Sequence, residues 1–289
     1  MVKDKTIGIE ICTKDRHSEL AILLSSILRQ TYKDWDLIIV DDSSTPLTVF
    51  KPIVDVLNRI MHEGHGVNIV LNNSEPQLGV GKARNRAAKE NTHELAIRID
   101  DDSWCEPDYI ERLVTAYIAL GNNGIKVGAV GGVVPSFGAP KFVRYIKSLK
   151  GVFNNSYIDN DNKLVIGDDG GYCYVRAGGH CDDFKNGTSH LIPSHHLRSS
   201  FLYNTKLSKE IGGFPTEYGL SGWREETHWS FKARLADYKL FTDPWAICWH
   251  LQCPSGGVRT LNVQAEHKAC EHNFKERFEK EFRPPKGRL

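Results

Sequence analysis

No apolar run in this sequence approaches the roughly 20 residues that a membrane-spanning helix needs, and the first such run is only Ile7 to Cys12. The start, Met1 to Lys5, has no apolar stretch of the kind a secretory leader carries. The 7 cysteines lie at 12, 105, 173, 181, 248, 253 and 270, and none forms a Cys-x2-Cys pair. There is no internal repeat and no low-complexity tract. Charge of either sign is not in excess, with Lys+Arg 37 against Asp+Glu 36 and a net charge of +1.

Each absence excludes something. Without a span or a leader, the expected setting is cytoplasmic, with thiols mostly reduced. Near-neutral charge argues against a general polyanion binder, so no nucleic-acid partner is expected. A local basic patch remains compatible, and so does peripheral contact with a membrane. The stretch from Cys173 to His196 holds His180, Cys181, His190 and His195, but its irregular spacing speaks against structural zinc.

What is present is an alternation. Thr6 to Cys12, Trp35 to Val40, Val67 to Leu71, Leu95 to Ile99 and Val127 to Val134 read as buried strands. Between them, Leu20, Leu23, Leu24, Ile27 and Leu28 fall on one helical face. Ile53, Val56, Leu57, Ile60 and Met61 repeat that spacing, as do Ile110, Leu113, Val114, Tyr117 and Ile118. Gly79 to Glu90 reads as a helix with a small apolar face, and Pro107 suits a first helical position. This order predicts an α/β fold with a mostly parallel sheet and helices on both faces.

The expected organisation is one domain over 1–289. Residues 1–135 form the nucleotide-binding half, 136–260 an acceptor-binding half, and 261–289 a charged helical tail. Between 136 and 195, short strand candidates such as Lys163 to Ile166 and Tyr172 to Arg176 alternate with Gly, Asn and Asp, which reads as hairpins and loops. Beyond it come a strand from Arg198 to Tyr203, a short helix from Thr205 to Ile211, a helix from Thr227 to Asp237, and two short strands at Leu240-Phe241 and Ala246 to Trp249. A charged helix is expected over His272 to Phe282.

Two strands end in acids, Asp41-Asp42 and Asp100-Asp101-Asp102. In a parallel sheet both ends lie on the carboxyl edge, where open α/β sheets bind ligands. Adjacent carboxylates repel, and a hard divalent cation would relieve that repulsion. Alternation along an extended segment puts Asp100 and Asp102 on one side and Asp101 on the other.

The run Ile9 to Arg16, then Ser26 to Tyr32, then Ile38 to Ser44 resembles a family 2 glycosyltransferase of the GT-A fold. Ala83-Arg84-Asn85 resembles that family's helix core, Asp100 to Asp102 its DxD metal motif, and Gly212-Gly213-Phe214 with Trp223 to Arg234 its acceptor and base region. The resemblance runs over about 6–260 and is poor over 136–195. It implies transfer of a sugar, with inversion, from a nucleotide-sugar donor to a glycan, lipid-linked or other hydroxyl acceptor. It implies donor contacts from Thr13, Asp15, Asp42, Arg84, Asp100 and Asp101. Asp42 would meet the nucleotide base; a carboxylate can accept the N3–H of uracil, which favours UDP. It implies Mn2+ or Mg2+ held by Asp100 and Asp102, with His250 as third ligand. It implies Glu226 as catalytic base, although relatives carry Asp there, and Trp223, Glu225 and His195 near the acceptor.

Two rivals remain at this point. A nucleotidyltransferase making a sugar nucleotide would want a Gly-rich loop after the first strand, whereas Thr13-Lys14-Asp15-Arg16 has no glycine. A non-catalytic sugar-nucleotide binding module is the other.

Overall fold

The computed structural model describes residues 6–72, 76–137, 191–194, 196–253, 255–258, 262–277 and 280–281. The alternation read from the sequence is present as β1 (Ile7–Thr13), α1 (His17–Leu28), β2 (Trp35–Asp41), α2 (Lys51–His62), β3 (Val67–Leu71), α3 (Val80–Glu90) and β4 (Leu95–Asp100). Next come β5 (Ser103–Cys105), α4 (Tyr109–Asn122) and β6 (Val127–Val133). The later described segments supply β7 (Ile192–Ser194), β8 (Phe201–Asn204), α5 (Thr205–Glu210), α6 (Glu225–Leu235), β9 (Lys239–His250) and α7 (Val263–Arg277).

The strands form one sheet in the order β3-β2-β1-β4-β8-β6-β9-β5, with β7 beside β9. β3, β2, β1 and β4 are parallel, as expected. β8 is antiparallel between β4 and β6, and β5 and β7 run antiparallel to β9. The second half of the chain therefore completes the same sheet that the first half begins.

Alternation sorts the side chains. Ile7, Ile9 and Ile11 with Leu95, Ile97 and Ile99 pack with α1, α2 and α4 in one core. Ile38 and Val40 meet Ala83 and Ala87 of α3 on the opposite face, where Ala96, Phe201, Tyr203 and Trp229 form another cluster. Helices thus cover both faces. The small residues of α3 let it lie close: a Cβ on Gly81 would come within 2.2 Å of the Pro215 carbonyl.

Several sequence expectations are corrected. Pro107 precedes the helix, which begins at Tyr109 with Asp108 ahead of it; its carbonyl accepts the Thr31 amide instead. Leu240-Phe241 and Ala246 to Trp249 are parts of one 12-residue strand, which tolerates Pro244 because its pairing shifts register between Gly131 and Val133. The tail helix begins at Val263, nine positions before the expected His272. The strand expected from Arg198 starts at Phe201. The candidates at Lys163 to Ile166 and Tyr172 to Arg176 lie outside the described residues. No described helix is long and apolar enough to cross a membrane.

On the α3 face, β1 and β4 also carry a polar seam. Glu10 pairs in register with Arg98, and Cys12 with Asp100. Glu10 is fully buried and accepts hydrogen bonds from Asn91 (2.9 Å) and Tyr203 (2.7 Å). Burial pushes its carboxyl up to about 7, against the pull of Asn91 and Tyr203 and of Arg84 and Arg98. A carboxyl raised on folding stabilises the fold fully below its unfolded value, and that contribution is lost as pH rises through about 7. The slope is at most about 1.4 kcal/mol per pH unit. Urea midpoints measured from pH 5 to 8 should therefore fall less steeply for Glu10→Gln than for the native chain.

Candidate active site at the carboxyl edge of the sheet

The carboxyl ends of β1, β2 and β4 open into a cavity of about 650 Å³, lined among others by Thr13, Asp42, Arg84, Asp100, Asp101, Asp102, Glu226 and His250. Registry explains the convergence. Thr13 sits level with Asp41 and Cys12 with Asp100, so the two acidic strand ends flank the first loop. His250 is brought there from far along the chain, because β5 pairs with β9 and sets Ser103 opposite His250.

The three aspartates divide their work. Asp101 turns inward, where its Oδ2 accepts the Thr13 hydroxyl at 2.9 Å and its Oδ1 meets Arg16 at 2.9 Å. Burial raises its carboxyl to about 6, with Arg16 opposing and Asp102 reinforcing the shift. Asp100 and Asp102 face His250, and one donor atom from each of the three lies within 4.8 Å of the others. Burial disfavours the charged form of Asp100, yet Arg84 and Arg98 outweigh it and hold its carboxyl below the usual range. Arg84 and Arg98 both approach Oδ1 of Asp100, and Arg16 approaches Oδ2 of Asp102 at 3.0 Å.

That donor set, two carboxylates and one imidazole, fits a hard or borderline divalent ion such as Mn2+ or Mg2+. One detail constrains the imidazole. The Gln252 backbone N–H donates to Nδ1 of His250 at 2.9 Å, which leaves the ring proton on Nε2, 3.5 Å from Asp102. Ligation through Nε2 would require that bond to be released.

Other expected donor residues are placed as follows. Asp42 is buried, and its carboxylate accepts from the Asn72 amide and from the Leu78 N–H at 3.1 Å. Arg84 is buried and donates to Asp100 and to the Ile99 carbonyl. Asp15 is exposed and does not line the cavity. Its backbone is left-handed (φ +52), and its carboxylate instead braces the next loop through the Ser44 amide at 2.8 Å. His195 lies outside the described residues.

The two acids at the start of α6 have different surroundings. Glu225 is 1% exposed and sits against Arg98, itself 2% exposed, at 2.5 Å. Among the described residues neither Glu225 oxygen completes a hydrogen bond, so the contact is ionic rather than a well-aligned bond. Burial pushes Glu225 up to about 7, with Arg98 opposing and Glu226 adding to the shift. Glu226 is half-buried and faces the cavity. Trp223 is 41% exposed at the rim, with its ring stacked on His267 of α7.

Arg16, Arg98 and His267 also belong to the site, beyond the residues expected from the sequence. Arg98 had a signal: a charged residue inside Leu95 to Ile99 demands a buried partner. Arg16 and His267 had none, because their partners are remote in sequence.

Residues 9–177 match the family described as Glycosyl transferase family 2. The chain is 30% identical over 138 residues to a glucosyl-dolichyl phosphate glucuronosyltransferase of Haloferax volcanii, a match covering 47% of this chain and 40% of that protein. Its fold is similar to that of the mannosyltransferase PcManGT of Pyrobaculum calidifontis in complex with GDP-Man and Mn2+, with TM-score 0.60 at 16% identity, covering 94% of this chain and 64% of that one. It is also similar to GalNAc-T7 with UDP, GalNAc and Mn2+, with TM-score 0.64 at 13% identity, covering 95% and 48%. The chain thus spans less than two thirds of each of these proteins. The mixed sheet with its parallel first half is the GT-A arrangement.

The Arg98–Glu225 pair yields a stability test. Removing one partner of a buried pair strands the other charge, at a cost of about 3–5 kcal/mol. Arg98→Met should lower the urea-derived stability by that order at pH 8. The loss should shrink at pH 5, below the value of about 7 to which folding raises the Glu225 carboxyl, because the folded native chain and the folded variant then both carry it protonated. The double variant Arg98→Met, Glu225→Met should recover most of the stability at pH 8.

Proposed function

This chain belongs to glycosyl transferase family 2, and from that premise we propose that it transfers a sugar from a nucleotide-sugar donor to a hydroxyl acceptor with inversion. A UDP-sugar is the favoured donor, and the acceptor is a glycan, a lipid-linked sugar or another hydroxyl compound. The reading is carried by one arrangement: Glu226 and the Asp100, Asp102 and His250 cluster line the same cavity. A proton acceptor and a candidate cation site thus share one space, as direct displacement at an anomeric carbon requires. No observation favours the nucleotidyltransferase or the binding-module reading. A cytoplasmic setting belongs to the same proposal.

Glu226 takes the proton of the acceptor hydroxyl as that oxygen attacks the anomeric carbon from the face opposite the nucleotide. Glu225 cannot serve in its place, because its carboxylate is turned to Arg98. Asp42 receives the N3–H of uracil; each of its oxygens already accepts one bond and retains a second lone pair. Thr13 fixes Asp101 through its hydroxyl, and Arg84 fixes Asp100. Trp223 offers an aromatic edge to the acceptor at the rim. Asp100, Asp102 and His250 would hold Mn2+ or Mg2+, which when bound stabilises negative charge on the departing diphosphate. The neighbours support a divalent cation with either base, since one holds GDP-Man with Mn2+ and the other UDP with Mn2+.

Thermal shift against UDP-glucose, UDP-GlcNAc, UDP-glucuronate and GDP-mannose, each with Mn2+, should identify the donor by its rise in melting temperature. With that donor, Glu226→Gln should lower turnover by at least about 100-fold while leaving Mn2+–UDP affinity unchanged by calorimetry. Unchanged turnover would remove Glu226 from the mechanism. In a second measurement, Asp102→Asn and His250→Ala should each weaken Mn2+ binding, read by the loss of free-ion signal in electron paramagnetic resonance. Donor binding that ignores EDTA would argue against the cation.

A further inference from the structure

Glu226 reaches the cavity because α6 starts where it does, and that start is unusual. Arg224, the residue before the helix, is left-handed (φ +82, ψ 2) although it is not a glycine. An L residue there is disfavoured by its own Cβ and persists only when its surroundings hold it. No side chain caps this helix start through Arg224. What grips Arg224 is α7. Its guanidinium lies on Glu271 through two contacts, Nε to Oε2 at 2.7 Å and Nη2 to Oε1 at 3.3 Å.

The grip extends along the whole segment that leads into α6. The Trp223 indole N–H donates to Glu271 at 3.2 Å, and the Trp223 ring stacks on His267 at 4.3 Å. The Ser221 amide donates to Glu266 at 2.9 Å. Gly219 permits that approach, since a Cβ there would lie 2.6 Å from the Glu266 oxygen. The Cys270 thiol donates to the Tyr218 carbonyl at 3.1 Å. Residues 266, 267, 270, 271 and 274 form one helical face, with fully buried Phe274 packed near Tyr218 and Phe231. One face of the carboxyl-terminal helix therefore clasps the loop from Tyr218 to Arg224.

We infer that Glu271 is a positioning residue for Glu226, acting through Arg224, so that α7 is part of the working site. The inference rests on the proposed role of Glu226. It also lies outside the matched family segment, which ends at residue 177. Bidentate pairing fixes the guanidinium in one orientation, and through it the left-handed turn that aims the first residues of α6 into the cavity.

The test is a double-mutant cycle on the full chain, using the sugar nucleotide selected from the four named above. Glu271→Ala should lower kcat by about tenfold or more, with KM for the donor and the Mn2+–UDP affinity changed less than about threefold. Glu271→Gln should fall between the two. Glycine adopts a left-handed backbone without help. In an Arg224→Gly background, adding Glu271→Ala should therefore change kcat by less than about twofold. Hydrogen exchange of 221–226 should rise in Glu271→Ala and not rise further in the double variant. Two results would overturn the inference: kcat within about twofold in Glu271→Ala, or equal losses in both backgrounds. If Glu226→Gln leaves turnover intact, the assignment of the base fails instead. The exchange data then still report whether Glu271 holds the turn.

Discussion

A guanidinium buried in a protein interior must be met by charge or the fold will not tolerate it. Arg98 sits at 2% exposure between the rings of Phe201 and Phe214, 5.2 and 5.1 Å from their centroids. It reaches Glu225 on one side and Asp100 on the other. Glu10 lies beside it in register on β1. Through these contacts a single strand residue ties the edge aspartates to the start of α6. The second arginine, Arg84, arrives from α3 and closes the seam on Asp100. The site is therefore held from beneath, by charge inside the core, rather than by its solvent-facing loops.

This support explains why the three adjacent aspartates do not behave alike. Asp101 is held by Thr13 and Arg16. Asp100 meets Arg84 and Arg98, Asp102 meets Arg16, and both stand beside His250. Repulsion within the triplet is thus relieved by fixed cations before any mobile one arrives. A divalent ion would add to this balance rather than create it.

Much of the fold was legible because it follows local rules. Apolar periodicity in 7–122 marks β1 to β4 and their helices, and the parallel arrangement then forces both acidic ends to one edge. The grouping of Asp100, Asp102 and His250 also followed, although only the family resemblance pointed to His250. What was not legible depends on remote pairing. Nothing near Phe201 announces that β8 inserts antiparallel between β4 and β6. The Asp243-Pro244 pair hides the continuity of β9, because the bulge that admits the proline is set by β6. The clasping face of α7 carries Glu266, His267 and Glu271, polar residues ahead of the charged helix expected from His272, and their partners lie some 45 positions earlier. Glu225 was expected near the acceptor, and its burial against Arg98 depends on a strand more than a hundred residues earlier.

The pairing of β5 with β9 has one more consequence. It places His250 level with Ser103, directly after the aspartates, while the matched family segment ends at 177. Asp100 and Asp102 thus belong to the early chain, and the imidazole, Glu226 and the clasping helix to the late chain. Contacts so far apart in sequence form late, because a long loop must close before they reward the chain. On the proposed reading, a half-folded chain would present the aspartates of β4 without the imidazole, Glu226 or the helix that clasps its loop. The proposed chemistry would then wait on closure of the whole fold, so that completion of the sheet and onset of activity would coincide.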